Sequence, residues 1–182
     1  MCSSDLFNFF GLVGIVLSSW IISNILVTLF VGIKKENDKK TLSPVNFFKH
    51  FNSMIISHLG VGLLILGITG SSTWQEENIT RMKVNDETII KNYNIVFKEI
   101  NKLEGPNYYA LEGSFWVYNQ KNKIITGLKP ENRIYPVTNN TSSEVSIHTN
   151  LLRDLYIVLG EGDLNDGWVV RIYYNPLVIW IW

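Results

Sequence analysis

From Leu6 to Ile33 the chain runs 28 positions without a charged residue. As a helix this run would extend roughly 42 Å, longer than the roughly 30 Å hydrocarbon core of a bilayer, so it predicts a tilted or projecting membrane span. A second uncharged run, residues 51–71, predicts another span and is rich in glycine. Between Ser72 and Tyr173 the pattern changes to alternation, in short stretches of β-branched and aromatic residues punctuated by Asn, Gly, Pro and Asp. That pattern predicts strands, at Ile79 to Val84, Glu87 to Lys91, Tyr93 to Asn101, Tyr108 to Asn119, Lys123 to Leu128, Arg133 to Val137, Leu155 to Leu159 and Trp168 to Tyr173. One short helix is predicted from Ser143 to Leu152, with Ser143 as cap and Val145, Ile147, Leu151 and Leu152 as a rough apolar face. A last apolar run, 175–182, opens with Asn175 and Pro176, which suit a helix start, and reads as the beginning of a further span.

The fold class is therefore a polytopic α-helical membrane protein with an inserted extracytoplasmic antiparallel β domain. Its expected parts are a span at 6–33, a cytoplasmic loop at 34–50, a span at 51–71 carrying His58, a β domain at 72–173 and the start of a truncated span at 175–182. Both ends read as cut from a larger chain. A cleavable signal peptide is not expected, because residues 1–5 carry no positive charge ahead of the first run.

Charge sets the orientation. Lys34, Lys35, Lys39, Lys40 and Lys49 crowd the loop between the two runs, and the positive-inside bias places that loop in the cytoplasm or matrix. The β domain then lies on the opposite face. Its eleven Lys and Arg against thirteen Asp and Glu leave it slightly acidic, which argues against nucleic acid as a partner. Cys2 is the sole cysteine, so no disulfide or Cys-x-x-Cys pair staples the domain.

The candidate chemistry centres on His58. Polar side chains at membrane depth are costly unless they face a partner, a cavity or a bound ion, and neutral imidazole offers a lone pair to a metal. Gly62 follows one turn later on the same face, where its missing side chain leaves room for a flat ring held edge-on by the imidazole. Ser53, Ser57, Gly60, Gly67 and Ser71 form a stripe of small residues suited to close helix approach. Plain helix packing, with His58 hydrogen-bonded to a neighbour or relaying protons, is the competing reading. His50 cannot share an iron with His58, since eight residues of helix separate them by roughly 12 Å. In the β domain, Gly105-Pro106-Asn107-Tyr108, Pro130-Glu131-Asn132-Arg133-Ile134-Tyr135 and Asp154-Leu155-Tyr156 with Leu159-Gly160-Glu161 read as turn and strand-edge chemistry. No catalytic grouping assembles from them.

Taken in order, those motifs do carry a resemblance. The run from Ser57-His58-Leu59-Gly60-Val61-Gly62 to Gly67-Ile68-Thr69-Gly70, the three β-domain motifs, and Trp168-Val169-Val170-Arg171-Ile172-Tyr173 leading to Asn175-Pro176-Leu177 and Trp180-Ile181-Trp182 together resemble the C-terminal part of the CcmF family. CcmF is the large membrane subunit of the cytochrome c haem lyase. The resemblance spans nearly all of residues 10–182.

It implies a protein of the bacterial or mitochondrial inner membrane that receives haem from a CcmE-type chaperone and, with a CcmH-type subunit, attaches it to apocytochrome c. It also implies a b-type haem as resident cofactor, with His58 as axial ligand. The family's tryptophan-rich WWD segment and its other haem-ligating histidines have no counterpart in this sequence, which leaves open whether this chain acts as an enzyme. His148 matches no functional family histidine. Two other readings stay open: a non-enzymatic membrane sensor or adaptor with an extracytoplasmic β module, and the related haem lyase dedicated to nitrite reductase.

Overall fold

Helix α1 runs Ser3–Asn37 and helix α2 Ser53–Thr73 in a computed structural model that describes residues 3–37 and 53–182. Lys39, Lys40, Lys49, His50 and Cys2 lie outside the described residues. The chain divides into two units, Met1–Trp74 with Leu177–Trp182, and Gln75–Pro176.

In the first unit the helices pack antiparallel along a seven-residue seam. Gly11, Ser18 and Ile25 are buried on α1, and Ile55, Gly62 and Thr69 on α2. A strict seven-residue repeat keeps one narrow stripe in register between two helices. Small residues set the approach: a Cβ at Gly14 would collide with Thr69, and one at Gly11 would lie 2.8 Å from the Thr73 methyl. The seam is not the predicted stripe. Ser53, Ser57 and Gly60 are exposed, and Gly60 has nothing near it. The buried positions 55, 62 and 69 repeat by seven, and the stripe's Gly60 and Gly67 sit off that line. The hydroxyls are satisfied within their own helices, Thr69 donating to the Ile65 carbonyl at 2.7 Å and Ser18 to that of Ile15 at 3.0 Å. That arrangement suits an apolar surround, where an unpaired hydroxyl is costly. Both helices are long and apolar enough to cross a membrane.

The C-terminal run also departs from expectation. Asn175 and Pro176 end a strand, and Leu177 takes a left-handed conformation at φ 57° before a 3-10 turn, Val178–Ile181. Leu177 seats in a notch on α2, where a Cβ at Gly70 would come within 2.8 Å of its Cδ1 and one at Gly67 within 3.1 Å of its carbonyl oxygen.

The second unit is a sandwich of ten antiparallel strands: β1 Glu76–Met82, β2 Glu87–Ile90, β3 Tyr93–Glu104, β4 Tyr109–Asn119, β5 Ile124–Leu128, β6 Glu131–Tyr135, β7 Asn140–Glu144, β8 Ser146–Asn150, β9 Arg153–Asp163 and β10 Gly167–Pro176. One sheet has the order β1-β10-β9-β8, the other β2-β3-β4-β6-β7 with β5 also on β4. Alternation puts Leu155, Ile157 and Leu159 of β9 and Val170 and Ile172 of β10 inward against Ile95, Phe97, Phe115 and Val117. Phe97 stacks on Phe115 at 4.5 Å and meets Trp168 edge-on at 5.9 Å.

All eight predicted strands are present. The predicted helix at Ser143 to Leu152 is instead β7, β8 and the turn that follows. The Asn150 side chain accepts from the Leu152 and Arg153 amides, both at 2.9 Å, and so builds a turn where a helix would have continued. β7 pairs with β6, and β8 with β9, so cross-strand partners override the weak helical period.

Candidate functional site

His58 lies on the wall of a groove of about 310 Å3 between α1 and α2. Met54 and His58 contribute from α2, while Trp20, Asn24 and Thr28 line the facing side from α1 with isoleucines between them. The α1 polar groups are internally bonded: Asn24 donates to the Trp20 carbonyl at 2.7 Å and Thr28 to that of Asn24 at 2.8 Å. Residues 20, 24 and 28 share one helical face at a spacing of four, a signal present in the sequence.

The His58 ring is oriented by its own helix. Nδ1 stands 2.7 Å from the Met54 carbonyl oxygen. A carbonyl only accepts, so Nδ1 donates, and in the neutral ring Nε2 then keeps the lone pair. This is the arrangement expected of a metal-ligating imidazole, whose second nitrogen is fixed by an outer hydrogen bond. Met54 cannot serve as a trans partner to His58, because residues four apart project from one helix face. Trp20, Asn24 and Thr28 are not haem-ligand types. The groove therefore offers one side chain suited to ligate a metal, His58, beside a mostly apolar wall.

Gly62 sits one turn away, against α1. A Cβ there would come within 3.0 Å of Ile22 and 3.4 Å of Ile21, so these two side chains occupy the space its missing side chain leaves. Among the described residues no three His, Cys, Asp or Glu side chains gather as a metal site.

In the sandwich, the motifs that stood out in the sequence resolve into packing. The Tyr108 ring lies over Gly105, whose amide donates to the Tyr108 carbonyl at 2.9 Å. Arg133 covers the other motif's junction, its guanidinium 4.6 Å from the Tyr108 ring and 2.8 Å from Glu131. Gly162 has no room for a side chain beside Gly167 and Trp168. Trp168 is core, whereas Trp116 is 40% exposed and Tyr156 stacks outward on Tyr173 at 4.6 Å. His148 belongs to a structural cluster: the buried Arg153 donates to its Nδ1 at 3.0 Å and its carbonyl at 2.8 Å, and to the Tyr93 hydroxyl at 2.9 Å.

Comparison with known proteins bears on the whole chain. Residues 73–176 match the family model described as the CcmF C-terminal beta-sandwich. The cytochrome c-type biogenesis protein CcmF of Pseudomonas aeruginosa is 32% identical over 97% of this chain and 26% of its own length. The Escherichia coli CcmF is 36% identical over 71% of this chain and 20% of its own length. The cytochrome c-type biogenesis protein NrfE of Haemophilus influenzae is 30% identical over 71% of this chain and 20% of its length. A solved structure titled cytochrome c heme lyase CcmF superposes with a TM-score of 0.58 over 100% of this chain and 32% of that one, at 14% identity, which shows a shared fold. The chain thus spans about a quarter of the length of the curated relatives it matches.

Proposed function

Because this chain belongs to the CcmF family, we propose that it serves cytochrome c maturation as part of a haem lyase, with His58 as axial ligand to a resident b-type haem. The observation that carries this is the His58 imidazole, whose Nδ1 proton is held by the Met54 carbonyl while Nε2 is left as a ligand beside the groove. Bound there, the haem would supply a one-electron couple suited to reducing the haem that is the enzyme's cargo. The protein's own part is to fix the imidazole plane, to surround the site with apolar side chains and to keep water from it. Gly62 enters this reading as room for the porphyrin edge, which requires Ile21 and Ile22 to rotate off it. Any second protein ligand to the haem would have to come from a segment that does not line this groove.

In this reading the apolar helices cross the bacterial or mitochondrial inner membrane, residues 34–50 face the cytoplasm or matrix, and the sandwich faces the other side. A CcmE-type chaperone delivers haem, a CcmH-type subunit cooperates, and apocytochrome c accepts it. The NrfE match supports a second reading, the lyase dedicated to nitrite reductase, which uses the same site.

The test is the complete protein with His58→Gly. The wild type shows a low-spin b-type spectrum; the variant loses haem and cytochrome c maturation, and added imidazole restores part of both. A variant that keeps its full haem complement and unaltered spectrum makes His58 a packing residue and ends the proposal.

A further inference from the structure

The chain enters and leaves the sandwich at the same end. Glu76, at the start of β1, pairs with Tyr174, and Pro176, the last residue of β10, pairs with Arg153. Three turns gather at that end. The β2–β3 turn is tied to β1 by the Lys91–Glu76 ion pair at 2.6 Å, the β4–β5 turn is tied to it by Gln120 donating to Asn92 at 2.8 Å, and the β8–β9 turn, Leu151-Leu152, immediately precedes Arg153.

These turns differ in kind from those at the opposite end. At their tips they present Lys121 and Lys123, with Lys91 paired to Glu76, whereas the turns at residues 83–86 and 164–166 present Lys83 against Asp86 and Asp166. They also carry Leu151 and Leu152, 68% and 69% exposed, with Ile124 at the start of β5. Two adjacent leucines at a turn tip cannot be explained by the core, which lies on the other side of the strands. The backbone there is already satisfied from within. Asn150 accepts from the Leu152 and Arg153 amides, and Asn119 in the same way from those of Lys121 at 2.9 Å and Lys123 at 3.0 Å. A turn whose amides are capped by its own side chains can leave water at low cost.

We infer that this end of the sandwich is a lipid-contacting rim, in which Leu151 and Leu152 enter the headgroup boundary while Lys121 and Lys123 meet anionic phospholipid. Apolar side chains flanked by lysines are the chemistry of interfacial binding, the apolar area supplying adhesion and the lysines attraction to negative headgroups. The two chain junctions argue for lipid as the occupant, since each lies within three residues of an apolar segment, α2 on one side and residues 177–182 on the other. The inference rests on the membrane placement proposed above, and its test separates the two.

The full chain, with Cys2→Ser, is labelled with a fluorophore at Leu152→Cys, at Leu164→Cys in the opposite turn or at Leu26→Cys in α1. It is then reconstituted in phosphatidylcholine vesicles, with or without phosphatidylglycerol, that contain lipid spin-labelled near the headgroup. We expect the labels at positions 26 and 152 to lose most of their fluorescence while that at 164 keeps its own, with stronger quenching at 152 when phosphatidylglycerol is present. Quenching at 26 with none at 152 overturns the rim and leaves the membrane placement standing. No quenching at 26 overturns both. Equal quenching at 152 in the two lipid mixtures overturns the assignment to anionic lipid.

Discussion

Arg153 Nη1 donates to His148 Nδ1 at 3.0 Å, and among the described residues no carboxylate shares the guanidinium's hydrogen bonds. The buried cation rests on acceptors alone: the His148 ring nitrogen and carbonyl, the Tyr93 hydroxyl, and the Tyr93 ring face at 4.4 Å. Such a pairing holds only while His148 is neutral.

A pH dependence follows. Burial, and then the Arg153 charge, push the His148 imidazole below its ordinary value, with the Asp154 charge among the influences opposing them. The unfolded chain then binds the proton more readily than the folded one. The stability from this contact is present above the unfolded value, about 6.5, and is lost as pH falls through the lower folded value. Urea unfolding of the full chain in detergent, followed by tryptophan fluorescence, should show midpoints dropping as pH falls below that point. His148→Gln, whose carbonyl can accept from Arg153, should flatten that part of the profile; an unchanged slope would assign it to other groups.

The helix seam makes a contrast between two glycines. Gly62→Leu should cost about 1–3 kcal/mol by overpacking against Ile21 and Ile22. Gly60→Leu, with nothing near it, should stay within about 0.5 kcal/mol. The SDS fraction at which the helical hairpin unfolds measures both, and equal losses would mean the seam runs elsewhere.

In the sandwich core, Phe97→Ala removes a fully buried ring from its stack on Phe115 and its edge contact with Trp168, and should cost about 3–5 kcal/mol. Chemical denaturation read by far-ultraviolet circular dichroism in the β region checks it. Ile79, 55% exposed on β1, is the matched control, and Ile79→Ala should change little.

The proposed orientation predicts opposite accessibility for the two flanks. With Cys2→Ser, a thiol at Asn122→Cys should react with an impermeant reagent added outside, to intact cells or mitochondria with permeabilised outer membranes, and one at Lys39→Cys should not. The reverse pattern would invert the topology.

Much of the architecture was legible because alternation is a strong signal wherever one face of a strand is buried. Tyr93 to Asn101 and Tyr108 to Asn119 were visible for that reason, and they form the longest pairing among the described residues. β7 and β8 were not, since Asn140–Glu144 is almost wholly polar and its strand character comes from its partner, β6. The C-terminal turn differs from the expected helix start because Asn-Pro also suits the end of a strand, where proline's missing amide falls at the last pair. At the candidate site, His58 was visible as a polar group in an apolar run. Its groove was not, because that depends on which α1 residues stand opposite, a matter of helix register that one sequence does not specify.

β1 has one hydrogen-bonded strand partner among the described residues, and that partner is β10. Ribosomes deliver β1 first and β10 last, so the first strand waits for nearly the whole insert to be made. Closing a loop of that length carries an entropic cost that grows only slowly with length, but the delay is fixed by synthesis. The opposite sheet has no such dependence, since β2, β3, β4 and β5 pair with sequence neighbours as they appear. Assembly is thus ordered in time, one sheet forming early and the other completed at its edge only when the chain turns back to its starting point.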